Sequence, residues 1–108
     1  MTKIELFEKD LQVTAGMFKA LGHPARLAIL KYLSDTKVCI SGDISNELPL
    51  SRTTVNQHLK ELKSIGLIKG EIEGSRVNYC LNSVRLDQAK KIIGDFLDGI
   101  HCENLNCQ

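Results

Sequence analysis

The sequence predicts a mainly α-helical fold carrying one β-hairpin, and three observations predict it. Apolar residues recur three and four positions apart through most of the chain, the spacing of one face of a helix. Between Ile68 and Leu81 the period drops to two around a Gly-Ser pair, the pattern of two half-buried strands joined by a turn. The two prolines, Pro24 and Pro49, stand where helices start and stop.

The first helix is expected from Ile4 to Leu21, where Ile4, Phe7, Leu11, Phe18 and Leu21 form a stripe widened by Val13, Ala15 and Met17. Pro24 suits the first turn of a second helix, to about Ser34, with Leu27, Leu30 and Leu33 inward beside Ala28 and Ile29. After a polar break at Asp35–Lys37, Ser41 can cap a short third helix with Ile44 and Leu48 inward and Asp43 near its positive end. Pro49 stops it. Ser51 is a natural N-cap for the fourth helix, and Leu50 can pack on Val55 as a hydrophobic staple. That helix runs through Leu59 and Leu62 toward Ser64 and ends at Gly66.

In the hairpin, Ile68 and Ile72 oppose Lys69, Glu71 and Glu73, while Val77, Tyr79 and Leu81 alternate with Arg76, Asn78 and Cys80. Asn82 or Ser83 caps a last amphipathic helix bearing Leu86, Ala89, Ile92, Ile93, Phe96, Leu97 and Ile100, and the tail 101–108 has no clear period.

At 108 residues the chain is one domain's worth, expected to span 1–108. Its 43% hydrophobic and 25% charged residues exclude a disordered, fibrous or low-complexity protein. With no Trp, two Tyr and three Phe, the core is aliphatic. Four cysteines are too sparse for a disulfide-stapled mini-protein, so thiols are the expectation. The opening Met1-Thr2-Lys3-Ile4-Glu5 does not read as a signal peptide, and no apolar run approaches the ~18–20 residues that cross a bilayer. A cytoplasmic location and no membrane partner follow as expectations. The net charge of +1 excludes a protein that coats nucleic acid by charge alone.

The short third helix, the tight turn at 48–51 and the capped fourth helix have the dimensions of a helix-turn-helix over about 42–64, and a hairpin at about 67–81 makes it a winged helix-turn-helix. The fourth helix is the expected reader. It exposes Arg52, Thr53, Asn56, Gln57 and Lys60 and turns Val55, Leu59 and Leu62 inward. Arg matches the O6/N7 acceptors of guanine, Asn or Gln bridges N6/N7 of adenine, and Thr serves phosphate or a thymine methyl. A solvated helix face would more often carry Lys and Glu. Between Ser51 and Arg76, Arg52, Lys60, Lys63, Lys69 and Arg76 outnumber Glu61, Glu71 and Glu73. So small an excess gives weak, salt-sensitive binding per protomer, and pairing through the first and last helices would supply a second reader for an inverted-repeat, double-stranded operator.

The runs Leu21-Gly22-His23-Pro24-Ala25-Arg26-Leu27-Ala28-Ile29-Leu30, Leu50-Ser51-Arg52-Thr53-Thr54-Val55-Asn56-Gln57-His58-Leu59-Lys60-Glu61-Leu62 and Gly66-Leu67-Ile68 resemble the ArsR/SmtB winged-helix repressors over roughly Ala20 to Leu81. The resemblance implies a cytoplasmic homodimer that represses an operon and leaves its operator when an inducer binds. It implies that Arg52, Thr53, Thr54, Asn56, Gln57 and His58 face DNA and that the wing tip Gly74-Ser75-Arg76 reaches the backbone or minor groove. Arg52 stands where the family usually has Gln, and Gln57 where it usually has His, so the operator can differ.

The family's inducer sites map unevenly onto this chain. In Val38-Cys39-Ile40-Ser41-Gly42-Asp43 one cysteine of a Cys-x-Cys motif is present, and Asp87-Gln88-Ala89 lacks the histidine of the family's zinc site despite His101 and Glu103. What remains is Cys102 and Cys107, soft thiolates suited to As(III), Sb(III) or a soft metal ion, with Cys39 or a partner's thiol as the third sulfur. Such an ion would act as inducer; no cofactor is required. The same pair could instead form a disulfide or polysulfide link, making the chain a thiol-redox or persulfide-responsive repressor, or be incidental thiols in a frayed tail. Cys80 reads as a half-buried bystander thiol, His23 as a helix-start residue and His58 as DNA-proximal. A winged-helix module binding DNA or protein without an effector is a further alternative. No nucleophile–base pair, phosphate loop or carboxylate dyad stands at a recognisable spacing, so an enzyme is not expected.

Overall fold

The computed structural model describes residues 6–36, 40–41, 48–73 and 76–102. Along them run α1 (Lys9–Leu21), α2 (Pro24–Thr36), β1 (Ile40–Ser41), α3 (Arg52–Ser64), β2 (Ile68–Glu73), β3 (Arg76–Leu81) and α4 (Ser83–Asp98). The expected short helix at Asp43 and Ile44, Cys39, the wing tip Gly74–Ser75 and the tail beyond Cys102, Cys107 included, lie outside the described residues. No helix among the described residues is long and apolar enough to cross a membrane.

The hairpin forms where the alternation placed it, with Ile68 opposite Leu81, Gly70 opposite Tyr79 and Glu73 opposite Arg76. A third strand joins it. β1 pairs antiparallel with β3, Ile40 against Tyr79 and Ser41 against Asn78, so the strand order is β1-β3-β2. Ser41, expected as a helix cap, is thus part of the sheet; a two-residue strand is too short to show an alternation of its own.

α1 begins at Lys9, later than the stripe starting at Ile4 implied. Glu8 stands extended before it (φ −60°, ψ 148°) without a side-chain cap, so Leu6 and Phe7 precede the helix. α2 starts at Pro24 as expected. Met17 from α1, Ile29 and Leu33 from α2, Val55, Leu59 and Leu62 from α3, Leu67 and Ile68 at the wing, and Ala89 from α4 form one buried cluster. The core is aliphatic, and its members come from every helix, so burial fixes α3 against the rest of the fold. Much of the apolar stripe of α1 is not in this core. Phe7, Leu11, Val13 and Phe18 stay exposed, as do Phe96, Leu97 and Ile100 at the end of α4. Phe18 and Phe96 meet edge to face at 6.0 Å, joining the two helices into one apolar surface.

Candidate nucleic-acid interface

α3 is defined at both ends by residues that satisfy its free backbone groups. At the start, Ser51 Oγ accepts from the Thr54 N–H (3.2 Å) and donates to Thr54 Oγ1 (3.0 Å). At the end, Gly66 takes φ +86°, and the Leu67 N–H reaches back to Leu62 O (3.1 Å) while the Gly66 N–H reaches Lys63 O (3.0 Å). This reciprocal pair is a Schellman termination, and the left-handed φ is why glycine stands there. Arg85 of α4 adds a cation at the same end: its Nε donates to Ile65 O (3.0 Å) and its Nη1 to Gln88 Oε1 (3.0 Å). Asn82 caps α4 by accepting from the Arg85 N–H at 3.3 Å, which places that guanidinium.

Between these ends α3 is sharply two-faced. Val55, His58, Leu59 and Leu62 are buried. Arg52, Thr53, Thr54, Asn56, Gln57 and Lys60 are exposed. Thr53, Asn56, Gln57 and Lys60 fall three and four apart, so they share the outer face, a row of donors and acceptors with no hydrophobe among them. This is the helix that the sequence marks as a reader. Arg76 opens β3 opposite Glu73, next to the wing tip.

His58 departs from its expected place. It is 7% exposed, and its Nδ1 accepts from Arg26 Nε at 3.1 Å. The helical period gives the reason: residue 58 lies three after Val55 and four before Leu62, on the inward flank of α3. It supports α3 from within and is not part of the exposed face of that helix. Its imidazole is held below the usual 6.5, chiefly by burial and then by the charges of His23 and Arg26, with Glu61 opposing. The spacing carried this signal. Arg26, its partner, stands in the first of the family-like runs, where no periodicity gives it a role.

The cysteines also divide differently from expectation. Cys80 is not a bystander thiol; it is disulfide-bonded, with its partner outside the described residues. Cys102 is free and exposed. Among the described residues no group of three His, Cys, Asp or Glu is arranged to hold a metal ion.

The description "Bacterial regulatory protein, arsR family" matches residues 23–69, the span from the start of α2 through α3 into the wing. The regulator MJ1325 of Methanocaldococcus jannaschii, named as an uncharacterized HTH-type transcriptional regulator, is 33% identical over 92 residues, covering 85% of this chain and 99% of its own. The chain belongs to the ArsR family. The structure of HlyU from Vibrio cholerae superposes with a TM-score of 0.64 at 31% identity, covering 85% of this chain and 96% of that one. HlyU is named a transcriptional activator. A Mycobacterium bovis protein, Mb0332, described as a homodimeric winged helix-turn-helix DNA-binding domain, shares the fold at 22% identity and a TM-score of 0.59, covering 90% of each chain. This ArsR-family chain is therefore a DNA-binding transcriptional regulator with a winged helix-turn-helix fold, and not an enzyme.

Proposed function

We propose that two copies of this chain form a repressor that holds an inverted-repeat operator and leaves it when an inducer arrives. The observation that carries this reading is the outer face of α3. Arg52, Thr53, Thr54, Asn56, Gln57 and Lys60 are exposed on a helix whose opposite side is buried and whose two ends are capped. A reader of base edges needs that combination, because side chains on a loosely held helix cannot keep hydrogen-bond register with a base pair. Arg76 beside the wing tip serves the phosphate backbone. Homodimerisation is supported by the apolar surface that Phe7, Leu11, Phe18 and Phe96 line together, which water covers in a monomer. Repression of a promoter takes place on the chromosome, hence in the cytoplasm.

The inducer acts through sulfur in this reading. As(III), Sb(III) or another soft metal ion would bind Cys102, Cys107 and Cys39, and ~3 kcal/mol of coupling to the dimer geometry lowers operator affinity about a hundredfold. A second reading is favoured by the Cys80 disulfide. Cys102 is a free thiol while Cys80 is not, so the sulfurs of this chain are already divided between two oxidation states. Oxidation would then be the signal: two thiols lose two protons and two electrons to a peroxide or polysulfide and become one S–S bond.

The test is selection of duplexes from a random pool, followed by gel shift of the enriched sequence with arsenite, with peroxide and with a thiol reductant. An enriched inverted repeat supports the dimeric reader; failure to enrich any duplex at low salt removes it. Release by arsenite only under reducing conditions supports the metalloid reading. Release by peroxide, reversed by reductant and lost in Cys80→Ser, supports the redox one.

A further inference from the structure

Behind the outer face of α3, groups from α1, α2 and α3 converge on one point. Arg26, in the first turn of α2, spreads its guanidinium over both neighbouring helices. Its Nη1 donates to the carbonyls of Lys19 (3.0 Å) and Ala20 (3.3 Å) in the last turn of α1, and its Nε donates to Nδ1 of His58 (3.1 Å) in α3. The His58 ring lies 4.3 Å from that of His23, centroid to centroid, tilted by 51°. His23 Nδ1 in turn accepts the N–H of Ala25 at 3.0 Å. A guanidinium and a backbone N–H are donors only, so both Nδ1 atoms present lone pairs, and a neutral His58 carries its proton on Nε2.

The position of this joint matters more than its strength. α1 bears the exposed apolar surface described above, and two carbonyls of its last turn are fixed to Arg26. α3 bears the exposed polar row and is fixed to the same guanidinium through His58. One planar, five-donor group therefore ties the helix proposed to pair with a second copy to the helix proposed to read DNA.

We propose that Arg26 and His58 are positioning residues that set the pose of α3 against α1, and that a proton on His58 Nδ1 opens this joint, so that operator affinity falls on mild acidification. The proposal rests on the reading of α3 as the DNA-contacting helix. Protonation turns the acceptor into a donor aimed at a donor and sets two cations in contact. The groups facing His58 are Arg26 from α2 and His23 from the α1–α2 turn, both opposing the added charge, and Glu61 from α3 itself, which favours it; α1 brings the Lys19 and Ala20 carbonyls that hold Arg26. The sign is diagnostic. Acidification ordinarily adds positive charge and tightens a protein's hold on phosphates, so weakening on acidification runs against the general trend.

The test uses the full chain and a duplex enriched from a random pool, with affinity read by fluorescence anisotropy from about pH 8 to about pH 5.5, across the ordinary imidazole range. Wild-type affinity is expected to fall about threefold or more over this range, the result of a proton held more tightly off DNA than on it. His58→Gln, whose carboxamide oxygen accepts from Arg26 without titrating, is expected to keep the neutral-pH affinity with a flat or slightly rising profile. His23→Gln is expected to keep the fall, and Arg26→Lys, which loses the fork, to bind weakly throughout. Thermal melts of each variant confirm folding. A His58→Gln profile that falls in parallel with wild type overturns the proposal. NMR of the free protein provides a readout without DNA: titration of the His58 ring is expected to shift amides of both α3 and the last turn of α1, and shifts confined to α3 overturn the joint. Should no duplex be enriched, the DNA reading fails while this titration still decides the joint.

Discussion

Replacing Gly66 by Ala tests whether the end of the reading helix is held by backbone conformation. Gly66 sits at φ +86°, and an L side chain in the left-handed region costs about 1–2 kcal/mol. Its new Cβ would also stand 3.3 Å from Cγ of Arg85, the residue whose Nε holds the Ile65 carbonyl. Arg85 can yield a few tenths of an ångström only by loosening that bond. Against this, alanine has fewer unfolded conformations, worth ~0.4–1 kcal/mol in its favour. The net expectation is a loss of ~0.5–1.5 kcal/mol, or roughly 2–12 °C in Tm for a domain of this size. Urea and thermal melts at one fixed protomer concentration measure it, since dimerisation makes both depend on concentration. Gly94 provides the control, because a Cβ there meets nothing within 4 Å and lies inside α4. Gly94→Ala should stabilise by ~0.5–1 kcal/mol. A Gly66→Ala change within the ~0.5 kcal/mol of a neutral surface substitution refutes the reasoning, as would a loss at Gly94 equal to that at Gly66.

Three further outcomes follow from the same geometry. Arg52→Ala should cost ~1–3 kcal/mol of operator binding and relax preference at one base pair, whereas Lys60→Ala should weaken all sequences alike and reduce the salt slope by about 1, both read by anisotropy against salt and sequence. Leu11→Asp with Phe18→Asp, two exposed apolar residues of α1, should give a folded monomer by sedimentation with operator affinity lowered by more than tenfold, roughly the loss of one of two half-sites. The urea midpoint should fall with acidity through His58. Above pH about 6.5 the folded and unfolded forms are both neutral there and stability is complete; below it the unfolded chain takes up a proton that the folded chain resists, and stability is lost toward the lowered folded value. His58→Gln should flatten that slope.

What was legible in the sequence was local. The Ser51 cap, the Gly66 stop, the proline start of α2 and the hairpin each depend on residues within a few positions of one another, and each formed where it was read. What escaped was contact across the chain. Arg26 meets its partner 32 residues away and Arg85 meets Ile65 20 residues away, and no periodicity encodes either bond. β1 exists only because β3 passes beside it. Cys80 looked inert because a thiol's partner is a fact of three dimensions. His58 is the intermediate case. Its inward position follows from the same period that buried Val55 and Leu62, but the family resemblance implied a DNA-facing residue where the spacing of this helix was the better guide.

The distribution of apolar surface links these points to regulation. A helix whose stripe were wholly consumed by its own core could not report on a partner, and one wholly exposed could not steer the rest of the fold. α1 does both: Met17 and Ala20 are buried while Leu11 and Phe18 remain in water beside Phe7, and two carbonyls of its last turn end on Arg26. In the proposed dimer, a change in how two copies pack would therefore have a route to α3 beside the aliphatic core, which is close-packed and resists small displacement. That route is the three hydrogen bonds to one guanidinium, the joint proposed to respond to a proton on His58. Cys80, disulfide-bonded, lies on β3, in the same sheet as β2, the strand packed against α3. The single variants separate the two proposed signals: if proton and oxidant act independently, His58→Gln keeps the response to oxidant and Cys80→Ser keeps the response to acid, whereas one shared movement would make either variant blunt the response to the other signal.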